Sequence, residues 1–171
     1  MIVKIVKYLI ERSEARIGVK FDYVHKIAET DIGLLSRYNK IFGFLYPNRK
    51  VPLLAYHTAR ITGALSADCG TCVQAEINLA KNAGMENEII SKILHFDIDD
   101  FPPEIIATAQ LAKSVTSERI DNPEARNIIQ DTFGEKGLIE ISFAMSGAAL
   151  LPNVKRAMGY ATACDINLMK L

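Results

Sequence analysis

The chain has no tryptophan, only three cysteines and three histidines, and no excess of charge of either sign: twenty Lys and Arg face twenty Asp and Glu over 171 residues. Without net basic charge or a local basic tract, the electrostatic footprint of a nucleic-acid binder is missing. An odd, small number of cysteines is not a secreted disulfide framework, and Lys4 and Lys7 interrupt the one apolar start that could serve as a signal peptide. The longest apolar stretches, around residues 2–10 and 139–152, are too short or too interrupted to span a bilayer. No Gly/Ser or Pro-rich linker, internal repeat or low-complexity run divides the chain. The expectation is a cytoplasmic protein with neither membrane nor nucleic acid as partner. At 49% hydrophobic and 23% charged it has enough apolar mass for one core.

Period-two alternation is nearly absent, and what is there is helical. Residues 2–15 set Ile2, Ile5, Val6, Leu9 and Ile10 against Lys4, Lys7 and Glu11. Asp22 caps a helix expected to run to about Phe44, which Pro47 and Asn48 then break. Pro52 opens a third helix with the stripe Val51, Leu54, Ala55, Thr58, Ile61, Thr62 and Leu65. Ser66 and Asp68 are candidate caps for a fourth, from Cys69 to Ala83, ending at Gly84. Further helices are expected at 86–94, 102–117, 123–134 and 135–151, with Pro152 ending or kinking the last and 153–168 continuing it. The fold class is all-α.

The fourth helix carries the chemistry. At about 100° per residue, Cys69, Cys72, Val73, Glu76, Leu79, Ala80 and Ala83 share one face, and Gln74, Asn78, Lys81 and Asn82 take the other. Glu76 therefore sits amid apolar neighbours, where an unpartnered carboxylate costs several kcal/mol. Two thiols at i, i+3 can close a disulfide, the helix N-terminus stabilises a thiolate, and a carboxylate one turn on can relay a proton. Other readings of the same residues are core cysteines, a zinc site recruiting His57, His95 or Cys164, and a Glu76 that pairs with a neighbouring helix. Cys164 reads most simply as a buried small side chain, and His25 and His95 have no identifiable partners. Asp97, Asp99 and Asp100 lack the glycine and distal Glu of a calcium loop.

The stretch from Ala55 to Met85, with Cys69-Gly-Thr-Cys72 and Glu76 inside it, resembles the carboxymuconolactone decarboxylase-like superfamily and, within it, the alkylhydroperoxidase D-like branch. The likeness covers roughly residues 50–163. It implies a single-domain helical bundle, with residues 1–48 an N-terminal helical extension and 49–171 the core. The branch has a Glu twelve residues before the first Cys and a His four after the second; here His57 and Glu76 stand at those positions, exchanged.

The resemblance further implies a hydroperoxide-reducing oxidoreductase with catalytic Cys69, Cys72, Glu76 and His57. Cys72 would attack the peroxide, Cys69 would close the disulfide, and His57 would act as the immediate base. No cofactor beyond the Cys69–Cys72 disulfide is implied. The implied partners are a hydroperoxide, a dithiol protein or lipoyl-type reductant, and further copies of the chain in a trimer or hexamer. A decarboxylase-like enzyme and a non-catalytic helical oligomer with redox-sensing or structural thiols remain as alternatives. Helix electrostatics by itself favours Cys69, nearer the N-terminus, as the more acidic thiol.

Overall fold

Every residue from 55 to 64 is buried, an all-round burial that only a helix wrapped by others can have. The computed structural model describes residues 2–46 and 50–171. Its helices are α1 (Ile2–Ile17), α2 (Asp22–Thr30), α3 (Ile32–Asn39), α4 (Leu53–Leu65), α5 (Gly70–Asn82), α6 (Asn87–His95), α7 (Pro103–Lys113) and α8 (Pro123–Ala157), with no strand among the described residues. The all-α expectation holds. The break expected at Pro47 and Asn48 lies outside the described residues.

The central helix α4 lies between α7 and α8 on one side and α5 and α6 on the other. One core joins Ala55, Ala59, Ile105, Leu111, Ile129, Ile141 and Met145; a second joins Ile61, Ala64, Val73, Ile77, Ile90 and Ile93. Small residues let α4 and α8 approach closely. A Cβ on Gly63 would lie 2.3 Å from the Met145 carbonyl oxygen, so only glycine fits there. By length and composition α8 could cross a membrane, but in this fold it is a core helix packed against α4 and α7.

Several boundaries differ from the sequence expectation. The helix expected from Asp22 to Phe44 divides into α2, α3 and a 3₁₀ segment, Lys40–Leu45. Asp31 causes the first division: its backbone is extended (φ −163°) and its carboxylate accepts the Leu34 N–H at 2.8 Å, a capping bond that outcompetes helix continuation. After α7 the chain widens into a π turn, Ser114–Glu118, closed by Arg119 in the left-handed region. The boundary expected at 134 is present: Gly134 (φ 69°, ψ 177°) is non-helical and divides α8 into two segments, the second running to Ala157. Pro152 lies within it rather than ending it. Beyond Ala157 the chain turns at Gly159 (φ 79°) and runs irregularly, with one 3₁₀ turn at Ile166–Leu168, in place of the expected helix.

The N-terminal helices form a third core, Tyr23, Val24, Ala28, Leu35 and Tyr38, which packs on Leu151, Val154 and Met158 of α8. Glu14 pins the α1–α2 corner. Its carboxylate is buried, accepts the Phe21 N–H at 2.6 Å and meets Lys20 and His25. Burial works against its charge, but these partners hold its pKa below the usual carboxylate value. Of the apolar stripe on α1, Val6 and Ile10 pack on this core, while Ile2, Ile5 and Leu9 stay exposed.

Candidate functional site

Cys69 is the residue immediately before α5. It has no exposed surface, whereas Cys72, one turn on, is half-buried, and both are free thiols. The expected caps do not form: Ser66 donates to the Gly63 carbonyl, and Asp68 sits at φ 46° with its carboxylate turned to the C-terminal tail. No side chain caps the helix, and Cys69 stands at its positive end.

The Cys72 thiol is placed to donate to the Cys69 sulfur, and that bond does most to bring the Cys69 thiol down, to about 6. Burial opposes the shift; the N–H groups of Cys72 and Thr162 and the Lys155 ammonium assist it. The same hydrogen bond, with burial and the charge on Cys69, pushes Cys72 far up. The surroundings thus favour loss of one proton from the pair over loss of two and draw the charge towards Cys69, the thiol that helix electrostatics also favours.

Two further elements complete the surroundings. Lys155 of α8 is buried; its charge favours both thiolates and its ammonium lies 5.9 Å from the Tyr23 ring centroid. Tyr23 and Tyr38 share a buried hydrogen bond of 2.6 Å. Burial raises both phenols, Tyr38 to about 12, and negative charge on Cys72 raises both further. These tyrosines belong to the residues read as an added arm, which places Tyr23 under the Lys155 ammonium.

The proton relay expected between Glu76 and His57 is not made. Both Glu76 oxygens are taken by Arg60 of α4: Nε donates to Oε2 at 2.6 Å and Nη2 to Oε1 at 2.9 Å. Arg60 also donates to the Tyr56 hydroxyl at 3.0 Å and to the Leu45 carbonyl, which Tyr56 bonds as well. Glu76 is thus the anchor of a buried network joining α5, α4 and the end of the 3₁₀ segment. His57 is buried, makes no hydrogen bond to Glu76 or to either thiol, and leaves Nδ1 unpartnered. Burial, helped by the Arg60 charge, pushes its pKa down to about 4, so the ring is neutral at pH 7 and a weak base. It is not positioned as the immediate base.

Sequence reasoning missed Arg60, Lys155, Tyr23 and Tyr38. A signal for Arg60 was present: it is the only Lys or Arg between Lys50 and Lys81, so a buried Glu76 had one cation nearby in sequence. The other three come from distant segments, with no local pattern to connect them to the cysteines. The face assigned to Gln74 and Asn78 is also not a solvent face. Asn78 donates to the Ile17 carbonyl at 2.7 Å, and Gln74 exchanges hydrogen bonds with both backbone groups of Lys170.

The C-terminal tail crosses the start of α5. Gly70 N–H donates to the Thr162 carbonyl at 3.3 Å, and Cys164 N–H donates to Asp68 Oδ1 at 2.8 Å. Among the described residues no group of three or more His, Cys, Asp or Glu side chains converges as a metal site. His95 bonds the Ser91 carbonyl of its own helix. No protein-family model, curated protein or solved structure matches the chain.

Proposed function

We propose that this protein is a thiol-dependent oxidoreductase that reduces small hydroperoxides at Cys69 and Cys72. The observation that carries the reading is the placement of Cys69 at the uncapped start of α5 with the free thiol of Cys72 one turn on, surroundings that bring the Cys69 thiol down. The resemblance of the Cys-x-x-Cys segment to the alkylhydroperoxidase D-like branch points to the same chemistry.

The Cys69 thiolate attacks the terminal oxygen of ROOH. An S–O bond forms, the O–O bond breaks, and the departing RO⁻ takes the Cys72 proton to leave as ROH. Cys72, now a thiolate, attacks the Cys69 sulfenic acid. The disulfide closes and hydroxide leaves, becoming water with a proton from solvent. Two thiols are oxidised by two electrons and one peroxide bond is reduced. An external dithiol, a protein or lipoyl-type donor, restores the pair.

This order reverses the roles that the resemblance implies, because the surroundings favour charge on Cys69. Lys155 takes the place of a histidine as the cation beside the thiols. The full burial of Cys69 favours a small oxidant over a protein disulfide. That same burial favours, as the second reading, a redox-responsive protein oxidised once per event without turnover. Peroxide consumption in the presence of excess dithiothreitol separates the two. Sustained turnover in wild type, lost in both Cys69→Ser and Cys72→Ser, is the expected result; equal consumption by wild type and a double Ser variant overturns the enzyme reading.

A further inference from the structure

Cys164 read from sequence as an inert buried residue, but the tail brings it against the redox pair. Its own N–H bonds residue 68, while two positions earlier the Thr162 carbonyl takes the Gly70 N–H, so the segment 162–164 brackets Cys69 from both sides. The approach is close. A Cβ on Gly70 would lie 2.9 Å from the Ala163 carbonyl oxygen and 3.6 Å from Cys164 Cα. Arg156 holds the base of the tail to the Ala67 and Asp68 carbonyls, and the Gln74–Lys170 pair holds its end. Cys164 is half-buried and packs on the core that contains Val73 and Ile77. Cys69, enclosed between its two neighbours, has no exposed surface for a dithiol reductant to reach.

We propose that Cys164 is a third redox thiol of the site, which exchanges with the Cys69–Cys72 disulfide to form a Cys69–Cys164 disulfide at the half-buried Cys164, where a reductant can open it. This rests on the redox reading of Cys69 and Cys72. In the exchange the Cys164 sulfur, after giving up its proton, attacks Cys69. The new S–S bond forms as the Cys69–Cys72 bond breaks, and the electron pair leaves on Cys72, which takes a proton. No net oxidation occurs, and no further reactant is needed. In the disulfide, Cys69 carries no negative charge, so the repulsion that disfavours a Cys72 thiolate in the reduced pair is absent at this step. Burial, with the charges of Asp68 and Asp165, holds the Cys164 thiol up, so exchange accelerates as pH rises.

The test uses chain cleavage after Lys and Arg, which leaves Cys69 and Cys72 in the peptide 61–81 and Cys164 in 157–170. Full-length protein is oxidised with one equivalent of diamide, blocked with iodoacetamide and cleaved without reduction. The expected result in wild type is an internal disulfide in 61–81 together with a population of 61–81 linked to 157–170. In Cys72→Ser the linked peptide becomes the main product of the monomer. In Cys164→Ala, re-reduction of the internal disulfide by dithiothreitol slows several-fold while its formation does not. An internal disulfide with no linked peptide in wild type or Cys72→Ser overturns this inference and leaves the redox reading standing. No disulfide of either kind in wild type overturns both.

Discussion

Lys155 is the residue on which the charge at the thiol pair most depends outside the pair itself. Removing its ammonium while keeping its length, as Lys155→Met, is expected to raise the Cys69 titration by about one unit from its starting point near 6. A pH titration of thiolate absorbance in the far ultraviolet checks this; an unshifted midpoint removes Lys155 from the account. Nothing local in the sequence marks Lys155, because it reaches the thiols only after α8 has crossed the whole core.

His57 makes an opposite kind of statement. Its folded pKa lies below its unfolded one, so the stability gained by keeping it neutral is fully present above about 6.5 and is lost as pH falls towards 4. The loss across that window is on the order of 3 kcal/mol. His57→Leu is expected to flatten it, as read by urea denaturation at several pH values. An unchanged acid dependence contradicts the buried-neutral assignment. In the sequence His57 stood out by its spacing from Cys69, and spacing along α4 could not reveal that Arg60, three residues on, is the side chain that reaches Glu76.

Among the elements, the contact of α4 with α5 is tied by the Arg60–Glu76 pair. A fully paired, buried ion pair contributes little against an apolar replacement, but removing one partner leaves a stranded charge at a cost of about 3–5 kcal/mol. Arg60→Met is therefore expected to destabilise by that amount, and the double variant Arg60→Met/Glu76→Gln to recover much of it. Equal losses in the single and double variants would show that the pair is not the unit. Against α8 the constraint on α4 is steric. Gly63→Ala places a methyl on the Met145 carbonyl and is expected to lower the thermal midpoint by several degrees at unchanged helix content.

Helix existence was legible at this scale because apolar periodicity is a property of each segment alone. The boundaries were less so. Asp31 ends α2 and starts α3 by a capping bond three residues on, a choice the 3.6-residue period does not report. Likewise Asp68 looked like a cap for α5, yet its carboxylate is taken by Cys164, a residue 96 positions away.

For the whole molecule, α1 and the C-terminal tail both converge on α5. α1 reaches it through the Ile17 carbonyl on Asn78, α2 places Tyr23 under the Lys155 ammonium, and the tail covers Gly70. Residues 1–48 read as an N-terminal helical extension because the resemblance begins near residue 50; their apolar stripes meet α8 as a third core. Ending the chain after Gly159 is expected to uncover Cys69, which iodoacetamide would then modify faster at pH 7 than in the full chain. An unchanged rate would mean that the tail does not cover it.

The central claim is that a dithiol, with its charge on Cys69, is oxidised by peroxide. Its most direct test is the intact mass of fully reduced protein before and after one equivalent of cumene hydroperoxide. The account predicts the loss of two hydrogens, assigned by peptide mass to a disulfide that includes Cys69. An unchanged mass, or oxygen added to methionine or Cys164 alone, would contradict it.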